Sequence, residues 1–221
     1  MNLAHPQLDR ALTLDDGCVA TLVIEQPQFF RSFLQDIDAQ LAGNKGRTVL
    51  SQDDRILPFD RHAELIDSFL HFQLGRKPLL TRLTSRLEAL AIEEDHYLRT
   101  AQLTCELEKY ILELSLDLPC DVYCSKMSFG GILRAVGVDI VDDHESDLER
   151  LLDYMELTRE LEHERLFILA NLRSYYSDAE VEAFFASVLS HELLILPVDS
   201  VSCVRLPNER RTTVDDDLCE F

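Results

Sequence analysis

Residues 18–24 read Cys-Val-Ala-Thr-Leu-Val-Ile, an uncharged run rich in β-branched residues. Such a run predicts a strand that is buried on both faces of a sheet. Pro27 follows within three residues and predicts the first turn of a helix over about residues 28–41, whose apolar side chains fall on one stripe. Residues 48–50 predict a second strand. The order strand, helix, strand is typical of an α/β layer.

The last third of the chain returns to this pattern of buried strands and helices. Residues 165–171 (Arg-Leu-Phe-Ile-Leu-Ala-Asn) and 193–198 (Leu-Leu-Ile-Leu-Pro-Val) predict two further buried strands. Between them, Ser177-Asp-Ala-Glu180 has the spacing of a capping box and predicts the start of a helix. An amphipathic segment over residues 148–161 precedes these elements, and residues 212–221 combine an edge strand with an acidic segment.

The middle of the chain has a helical pattern instead. Residues 61–118 predict two helices, the first ending near Leu74 with Gly75 as its cap and the second beginning at Pro78. The second helix, which Pro119 stops, would be about 55–60 Å long at about 1.5 Å per residue. Its apolar residues alternate in steps of three and four, as in a coiled coil. They are Leu80, Leu83, Leu87, Leu90, Tyr97, Ala101, Leu107, Ile111, Leu114 and Leu118.

A helix of this length needs another helix or another chain to pack against. A shorter helix over residues 128–136, capped by Gly137, would pack back on it. The sequence therefore predicts an α/β fold in which residues 1–60 and 144–221 form a head domain. Residues 61–143 would form an inserted leg domain of long helices.

The composition is that of a globular protein with a strong excess of acidic residues. The 221 residues are 46% hydrophobic, and 41 Asp and Glu against 21 Lys and Arg give a net charge of −20. This charge argues against indiscriminate binding to nucleic acids or to anionic membranes. No apolar run approaches the length of about 20 residues that a transmembrane helix needs. Residues 1–17 lack the pattern of a signal peptide, so we expect a cytoplasmic protein with no membrane contact.

Six cysteines are scattered along the chain, and the closest pair is the CxxxC of Cys120 and Cys124. No second pair has the spacing of a zinc site. In a reducing compartment such thiols stay unpaired, and we expect them to serve as small buried residues.

The sequence lacks the motifs of the common nucleotide, metalloprotease and serine hydrolase sites. Gly43-Asn-Lys-Gly-Arg-Thr48 is not a Walker A loop, because its Lys precedes the second Gly and the loop leads into a strand. A plain helix-to-strand turn is the better interpretation. His191-Glu192 is followed by no second His at metalloprotease spacing, and no Gly-x-Ser-x-Gly nucleophile elbow occurs.

Carboxylates on the far half of the long helix form a candidate calcium site. Glu113 and Asp117 are four residues apart and would share one helix face, and Asp121 follows after Pro119. Two helix carboxylates and a loop carboxylate supply the oxygen ligands that Ca²⁺ prefers. A solvated acidic helix face explains the same residues and stays open as the alternative.

Lysine is rare, and the basic residues of interest fall in two short segments. Lys77, Arg82 and Arg86 form a basic stripe at the start of the long helix, and Lys126 and Arg134 lie in the returning segment. Contacts with nucleic-acid phosphates would need several of these residues to converge, most easily through the symmetry of an oligomer. Helix solubility is the alternative explanation.

Seven short segments, taken in order, carry a resemblance to a known family. They are Thr21-Leu-Val-Ile-Glu25, Val49-Leu-Ser51, Glu113-Leu-Ser-Leu-Asp-Leu118, Ile132-Leu-Arg-Ala-Val-Gly-Val138, Glu149-Arg-Leu-Leu-Asp-Tyr-Met155, Asn171-Leu-Arg-Ser-Tyr175 and Asp217-Leu-Cys-Glu220. This ordered set resembles the small adaptation protein of type II-A CRISPR loci, a ring-forming protein that binds DNA ends. The resemblance extends over essentially the whole chain.

This resemblance implies a degenerate P-loop-like head without a working nucleotide site, and long helical legs. It also implies a homotetrameric ring whose basic central hole threads the ends of double-stranded DNA, with Ca²⁺ holding the legs. The implied role is non-enzymatic and belongs to spacer acquisition, together with the CRISPR integrase complex and the guide-directed effector nuclease. Carried over by position, the calcium ligands are Glu113, Asp117 and Asp121. The DNA-binding residues are Arg134, Lys126, Lys77, Arg82 and Arg86.

Two other functions stay open at this point. The same carboxylates would suit a metal-dependent nuclease or NTPase, which would turn over its substrate with Mg²⁺. Alternatively, the acidic chain would act as a protein-interaction scaffold that contacts its partners through the legs and binds no DNA.

Overall fold

The computed structural model of the chain describes residues 1–15, 17–70, 72–124, 127–162 and 165–221. They form two compact units, the first made of Met1–Leu74 with Asp143–Phe221 and the second of Gly75–Asp142. We call them the first unit and the second unit. Residues 61–74, which the sequence placed in the inserted segment, fall in the first unit.

The first unit contains strands and helices, and the second unit contains helices. In chain order the strands are β1 (Asn2–Ala4), β2 (Leu12–Thr13), β3 (Val19–Ile24), β4 (Val49–Gln52), β5 (Arg55–Leu57), β6 (Ala63–Ile66), β7 (Leu166–Ala170), β8 (Leu194–Asp199) and β9 (Glu209–Val214). The helices are α1 (Pro27–Leu41), α2 (Phe59–His62), α3 (Lys77–Ala91), α4 (Glu94–Leu114), α5 (Phe129–Val136), α6 (Asp147–Leu161) and α7 (Asp178–Ser190).

The core of the first unit is a five-stranded parallel sheet in the order β6-β7-β8-β3-β9. Strands β3, β7 and β8 are buried at every residue, which confirms the prediction from their apolar runs. Leu22 of β3 and Phe33 of α1 belong to one hydrophobic cluster on one face. On the other face, Tyr154 of α6 contacts Phe167 of β7, with ring centroids 6.5 Å apart. Helices on both faces explain the apolar character of these strands.

A second, antiparallel sheet has the order β2-β1-β4-β5. Asp53 and Asp54 join β4 to β5, both with positive φ (47° and 60°), as a two-residue hairpin turn requires. The sequence interpretation that joined β3, α1 and β4 in one α/β layer was wrong, because β4 pairs with β1 and β5 instead. Both neighbours of β3 in the parallel sheet, β8 and β9, come from the last third of the chain.

The segment before the second unit was predicted to be a helix ending near Leu74, and this prediction was wrong. Residues 63–66 form strand β6, which pairs with β7 at the edge of the parallel sheet. Beyond β6, Phe69 and Phe72 are buried, and the ring of Phe72 lies 5.0 Å from that of Tyr154. Pairing with a sheet edge and aromatic packing thus override the helical spacing of the apolar residues.

The long helix predicted from Pro78 to Leu118 is two helices, α3 and α4, separated by a turn at Ile92 and Glu93. Glu94 and Asp95 then occupy the first turn of α4. Carboxylates are favourable there because the amino end of a helix is its positive end, and a continuous helix would lose this benefit. The shorter helix predicted over residues 128–136 is confirmed as α5, and Gly137 caps it with φ of 76°.

Helix α4 buries none of its residues. Its large apolar side chains Leu98, Leu103, Leu107, Ile111 and Leu114 are all exposed. The four from Leu103 to Leu114 follow one another in steps of three and four, so they share one face of the helix.

The six cysteine thiols are free, as the sequence predicts. The expectation that they are buried was wrong, because Cys105, Cys120 and Cys219 are exposed and the other three are half-buried. No helix among the described residues is long and apolar enough to cross a bilayer.

Candidate nucleic-acid interface

A groove between α3 and α5 brings together two of the predicted DNA-binding residues. Lys77, in the first turn of α3, and Arg134, near the end of α5, both line this groove of about 390 Å³. The two residues are far apart in the sequence, and the packing of α5 against α3 places them together. We call this feature the basic groove.

Local sequence signals fix α5 and therefore Arg134. The side chain of Ser128 accepts a hydrogen bond from the N–H of Gly131 at 3.1 Å and caps the start of the helix. Gly137 ends the helix in the left-handed conformation. Arg134 Nε donates to the carbonyl of Gly130 at 3.1 Å, one turn earlier. This bond uses one donor of the guanidinium group and directs the side chain along α5.

The other predicted DNA-binding residues do not join the groove. Arg82 and Arg86 are exposed on α3 and do not line the groove, and Arg86 forms an ion pair with Glu93 at 3.5 Å. Because Arg82 and Arg86 follow Lys77 by five and nine residues, they lie on another side of the helix. Lys126 lies outside the residues that the structure describes.

The wall that α3 contributes contains hydroxyl groups that the sequence analysis missed. Thr81, Thr84 and Ser85 line the groove beside Lys77. Each hydroxyl donates to a carbonyl one turn earlier in α3, at 2.8–3.0 Å. These hydroxyls are uncharged, so the positive charge of the groove comes from Lys77 and Arg134. The spacing of residues 77, 81, 84 and 85 along one helix face is the signal that would have found this wall.

Glu88 also lines the basic groove. Its carboxylate lies against Gly130 of α5, in the space that any Cβ at residue 130 would occupy. Gly130 therefore allows the close approach of α3 to α5, and a larger residue there would displace Glu88. The groove thus combines two cations with one anion, and its net charge is modest.

The three predicted calcium ligands do not form a closed site within one chain. Helix α4 ends at Leu114, and Ser115, its cap, donates to the carbonyl of Leu112 at 2.7 Å. Asp117 thus follows the helix, and the prediction that it shares a helix face with Glu113 was wrong. Asp121 lines a shallow hollow of about 490 Å³ that includes neither of the other two carboxylates.

Glu113, Asp117 and Asp121 are all exposed. Among the residues that the structure describes, no three His, Cys, Asp or Glu side chains come close enough to hold a metal ion together. Ca²⁺ takes six to eight oxygen ligands. A calcium ion at these carboxylates would therefore need further ligands, such as those of another chain or of water.

The connection after β3, where an α/β nucleotide site would bind phosphate, is closed by its own side chains. Only Glu25 and Gln26 separate β3 from α1, and neither is a glycine. The side chain of Gln26 accepts a hydrogen bond from the N–H of Phe29, and Pro27 has no N–H. The amino end of α1 therefore offers fewer backbone donors than a phosphate-binding loop does.

The loop over residues 43–48 is a helix-to-strand turn, as predicted, and α1 holds it. Asp36 accepts hydrogen bonds from the N–H groups of Arg47 and Thr48, both at 2.8 Å, and from the hydroxyl of Thr48 at 2.5 Å. Burial would raise the pKa of Asp36, but these hydrogen bonds outweigh burial and hold the pKa below its ordinary value. Because Asp36 already takes these donors, they are not available to a phosphate.

Residues 40–218 of the chain match the family described as CRISPR-associated protein (Cas_Csn2). The matched range includes the basic groove, the carboxylates at residues 113–121 and four of the five strands of the parallel sheet. No curated protein matches the chain.

Proposed function

The chain belongs to the Cas_Csn2 family of CRISPR-associated proteins, and from this premise we propose that it binds the ends of double-stranded DNA during spacer acquisition. The binding is independent of DNA sequence, and the protein catalyses no reaction. The first unit would be a degenerate P-loop-like head, in keeping with the closed connection after β3. The second unit would be the leg.

The observation that carries the proposal is the meeting of Lys77 and Arg134 in the basic groove. Two cations on opposite walls of one groove can contact neighbouring backbone phosphates and release their counterions. Counterion release is the main source of affinity for DNA without sequence readout. The described lining contains no aromatic side chain to stack on a base and no Asn or Gln to pair with adenine. We propose that its two cations contact the phosphate backbone rather than base edges.

Helix α4 supports self-association. It leaves a face of leucines and one isoleucine exposed, from Leu103 to Leu114, and an apolar helix face of this kind needs a partner. We propose that the partner is a second copy of the chain and that the closed assembly is a homotetrameric ring. Symmetry would then bring four basic grooves to one channel, so that four modest charges act together. The acidic surface elsewhere would repel DNA.

Calcium is proposed to act between chains. Glu113, Asp117 and Asp121 are exposed and do not close a site by themselves, so they remain available to a neighbouring copy. Bound there, Ca²⁺ would neutralise carboxylates that otherwise repel one another. The residues of this chain would supply part of the ligand set, and the neighbouring copy would supply the rest.

The remaining parts of the proposal follow from the family. The protein would work in the cytoplasm with the CRISPR integrase complex and the guide-directed effector nuclease, without contacting a membrane. A closed ring threads a free DNA end but not a closed circle, so the ring form predicts a preference for linear DNA.

Fluorescence anisotropy tests the proposal with a labelled linear duplex and a closed minicircle of the same sequence. Each DNA is titrated with the full-length protein in Ca²⁺ or in chelator, at two salt concentrations. We expect calcium-dependent binding of the linear duplex that weakens steeply with salt, and little binding of the circle. Equal binding of both forms would contradict threading.

Two further outcomes of that experiment separate the other functions. No binding under any condition would favour the acidic protein-interaction scaffold, which the net charge of −20 also suits. Cleavage of the duplex with Mg²⁺, abolished in Glu113→Gln, would favour a nuclease. Either outcome would overturn the proposed function.

A further inference from the structure

A carboxyl group is buried in the parallel sheet of the first unit. Asp199 is the last residue of β8 and is only 3% exposed. Its Oδ1 accepts a hydrogen bond from the N–H of Arg173 at 3.2 Å. Its Oδ2 has no hydrogen-bond partner among the described residues. An unpaired buried carboxylate oxygen is costly, so this position calls for a proton or for a donor that can move to it.

Strand β3, which pairs with β8, also has a buried polar group without a hydrogen-bond partner among the described residues. Val23 of β3 pairs with Asp199, and Thr21, two residues earlier, therefore points to the same face of the sheet. The hydroxyl of Thr21 is buried and has no partner among the described residues. The β3–β8 ladder does not extend to Pro197, which has no N–H to donate. The sheet is therefore incompletely hydrogen-bonded beside Asp199.

Three charged side chains face Asp199 from the elements around it. Arg173 comes from the 3₁₀ turn after β7 (Leu172–Ser174), and Glu209 and Arg211 come from β9. Glu209 accepts from Arg173 Nη2 at 2.9 Å and from Arg211 Nε at 2.8 Å. Both guanidinium groups are thus committed to Glu209, and neither is paired with the side chain of Asp199.

The same two arginines hold the loop that follows β8. Arg173 Nη1 and Arg211 Nη2 donate to the carbonyl of Val204, at 2.6 and 3.0 Å. Arg173 Nε, in contrast, is buried and has no acceptor among the described residues. Arg173 therefore has one unused donor on the side chain that ties Val204 to Glu209.

We propose that the proton on Asp199 controls the loop of residues 200–208. With Asp199 protonated, Arg173 stays bound to Glu209 and to the carbonyl of Val204, as in this structure. With Asp199 ionised, the free carboxylate oxygen attracts Arg173 Nε, and this movement weakens the hold of Arg173 on Val204. The loop is then more mobile.

The pKa of Asp199 lies between pH 5 and pH 7.5, so the side chain changes its protonation state within that interval. Burial raises the pKa of Asp199 from 3.8 to about 6, against the opposing effects of the Arg173 hydrogen bond and charge. The folded state thus holds the proton more strongly than the unfolded chain does. Its contribution to stability is complete below pH 3.8 and is lost as the pH rises through about 6.

Hydrogen exchange of the full chain, measured by mass spectrometry on peptides from residues 200–208, tests the proposal. Asp199→Asn keeps an acceptor for the N–H of Arg173 and imitates the protonated acid at every pH. At pH 5 we expect equal exchange in the wild type and the variant. At pH 7.5 we expect exchange about fivefold faster in the wild type, well within the hundredfold limit that a shift of about two pKa units sets.

Comparing both proteins at each pH removes the intrinsic pH dependence of exchange. Asp38→Asn, which neutralises an exposed carboxylate on α1, serves as the control and should match the wild type at both values. A ratio between wild type and Asp199→Asn that is the same at pH 5 and pH 7.5 would overturn the proposal.

A second measurement keeps the proposal testable if Asp199→Asn does not fold. Carboxyl carbon NMR of the wild type follows the protonation of Asp199 directly. A midpoint near 6 supports the proposal, whereas a midpoint at the ordinary 3.8 would refute it.

Discussion

The parallel sheet of the first unit and helix α4 of the second unit differ in how far their apolar residues are buried. Strands β3, β7 and β8 bury every residue they contain, whereas α4 buries none. Both segments are rich in leucine and other apolar residues. The sheet is covered by helices of its own chain, and α4 leaves its apolar face to solvent.

This difference distinguishes residues that stabilise the fold of one chain from residues whose apolar surface is left for contact with another molecule. Burial in the sheet supplies the free energy that folds the first unit. The exposed face of α4 contributes less within one chain, because Leu103, Leu107 and Ile111 stay 38–42% exposed, and it contributes further when another surface covers it. Two predictions test this distinction and a third tests the basic groove, and they are given from the largest expected effect to the smallest.

The largest effect is expected from Phe33→Ala in α1. Phe33 is fully buried in the cluster beneath the sheet, so the variant loses apolar burial and leaves a cavity. We expect the free energy of unfolding to fall by about 3–5 kcal/mol. Urea denaturation followed by circular dichroism measures this loss.

Tyr97→Ala in α4 is the matched control, because Tyr97 is also aromatic but is 57% exposed. We expect its free energy of unfolding to change by less than about 0.5 kcal/mol at low protein concentration. Equal losses in the two variants would show that α4 is buried within one chain and would remove the distinction.

A smaller effect is expected on association when the face of α4 becomes polar. The double variant Leu107→Gln, Ile111→Gln keeps good helix formers but removes two apolar side chains from that face. We expect the free energy of self-association to become less favourable by about 2–3 kcal/mol for each interface between two copies. Sedimentation equilibrium measures the change in mass distribution.

Lys109→Gln provides the control for that pair, since Lys109 is exposed and lies on the other side of α4. It should leave the mass distribution unchanged. An unchanged distribution in the double variant as well would mean that α4 takes no part in self-association.

The smallest effect is expected on DNA binding. Arg134→Ala removes one of the two cations of the basic groove, and we expect the affinity for linear duplex to fall about tenfold. The slope of log affinity against log salt should decrease by about one contact. Titrations at several salt concentrations measure both quantities.

Arg86→Ala distinguishes the groove from basic charge in general. Arg86 is on the same unit but pairs with Glu93 and does not line the groove. We expect its affinity to stay within about twofold of the wild type, because exposed ion-paired charges contribute little. A loss as large as that of Arg134→Ala would assign the binding to the α3 surface instead.

The sequence predicts elements best where a local signal agrees with the final environment. The apolar runs at residues 18–24, 165–171 and 193–198 become three buried strands. The capping box at Ser177 and Glu180 forms as expected and begins α7. Gly137 ends α5 in the left-handed conformation. In each case the residue types needed by the local geometry are also those that the environment requires.

The errors occur where distant segments decide the outcome. Residues 63–66 have helical spacing but form β6, because the edge of β7 offers a full set of hydrogen bonds. The strand predicted over residues 48–50 forms as β4 over residues 49–52, but it pairs with β1 and β5, because β8 and β9 already occupy both sides of β3. The carboxylates Glu113 and Asp117 lose their common face because α4 ends at Leu114.

The sequence identified two residues of the candidate site but did not predict that they lie in one groove. Lys77 and Arg134 were both identified as basic residues of interest, but nothing in their spacing shows that they share a groove. Their meeting depends on the close approach of α3 and α5, which Gly130 permits by leaving space for Glu88. Arg82 and Arg86, equally basic, lie on another side of α3.

The sequence by itself determined the α/β class, the helical insertion, the free thiols and the family, because each is carried by local patterns or by their order along the chain. The tertiary structure alone decided which strands share a sheet, where the long helix breaks and which cations converge. It also left Oδ2 of Asp199 and the hydroxyl of Thr21 without hydrogen-bond partners among the described residues, while the N–H of Arg173 donates to the other oxygen of Asp199. These outcomes depend on contacts between residues far apart in the chain, and no local propensity contains that information.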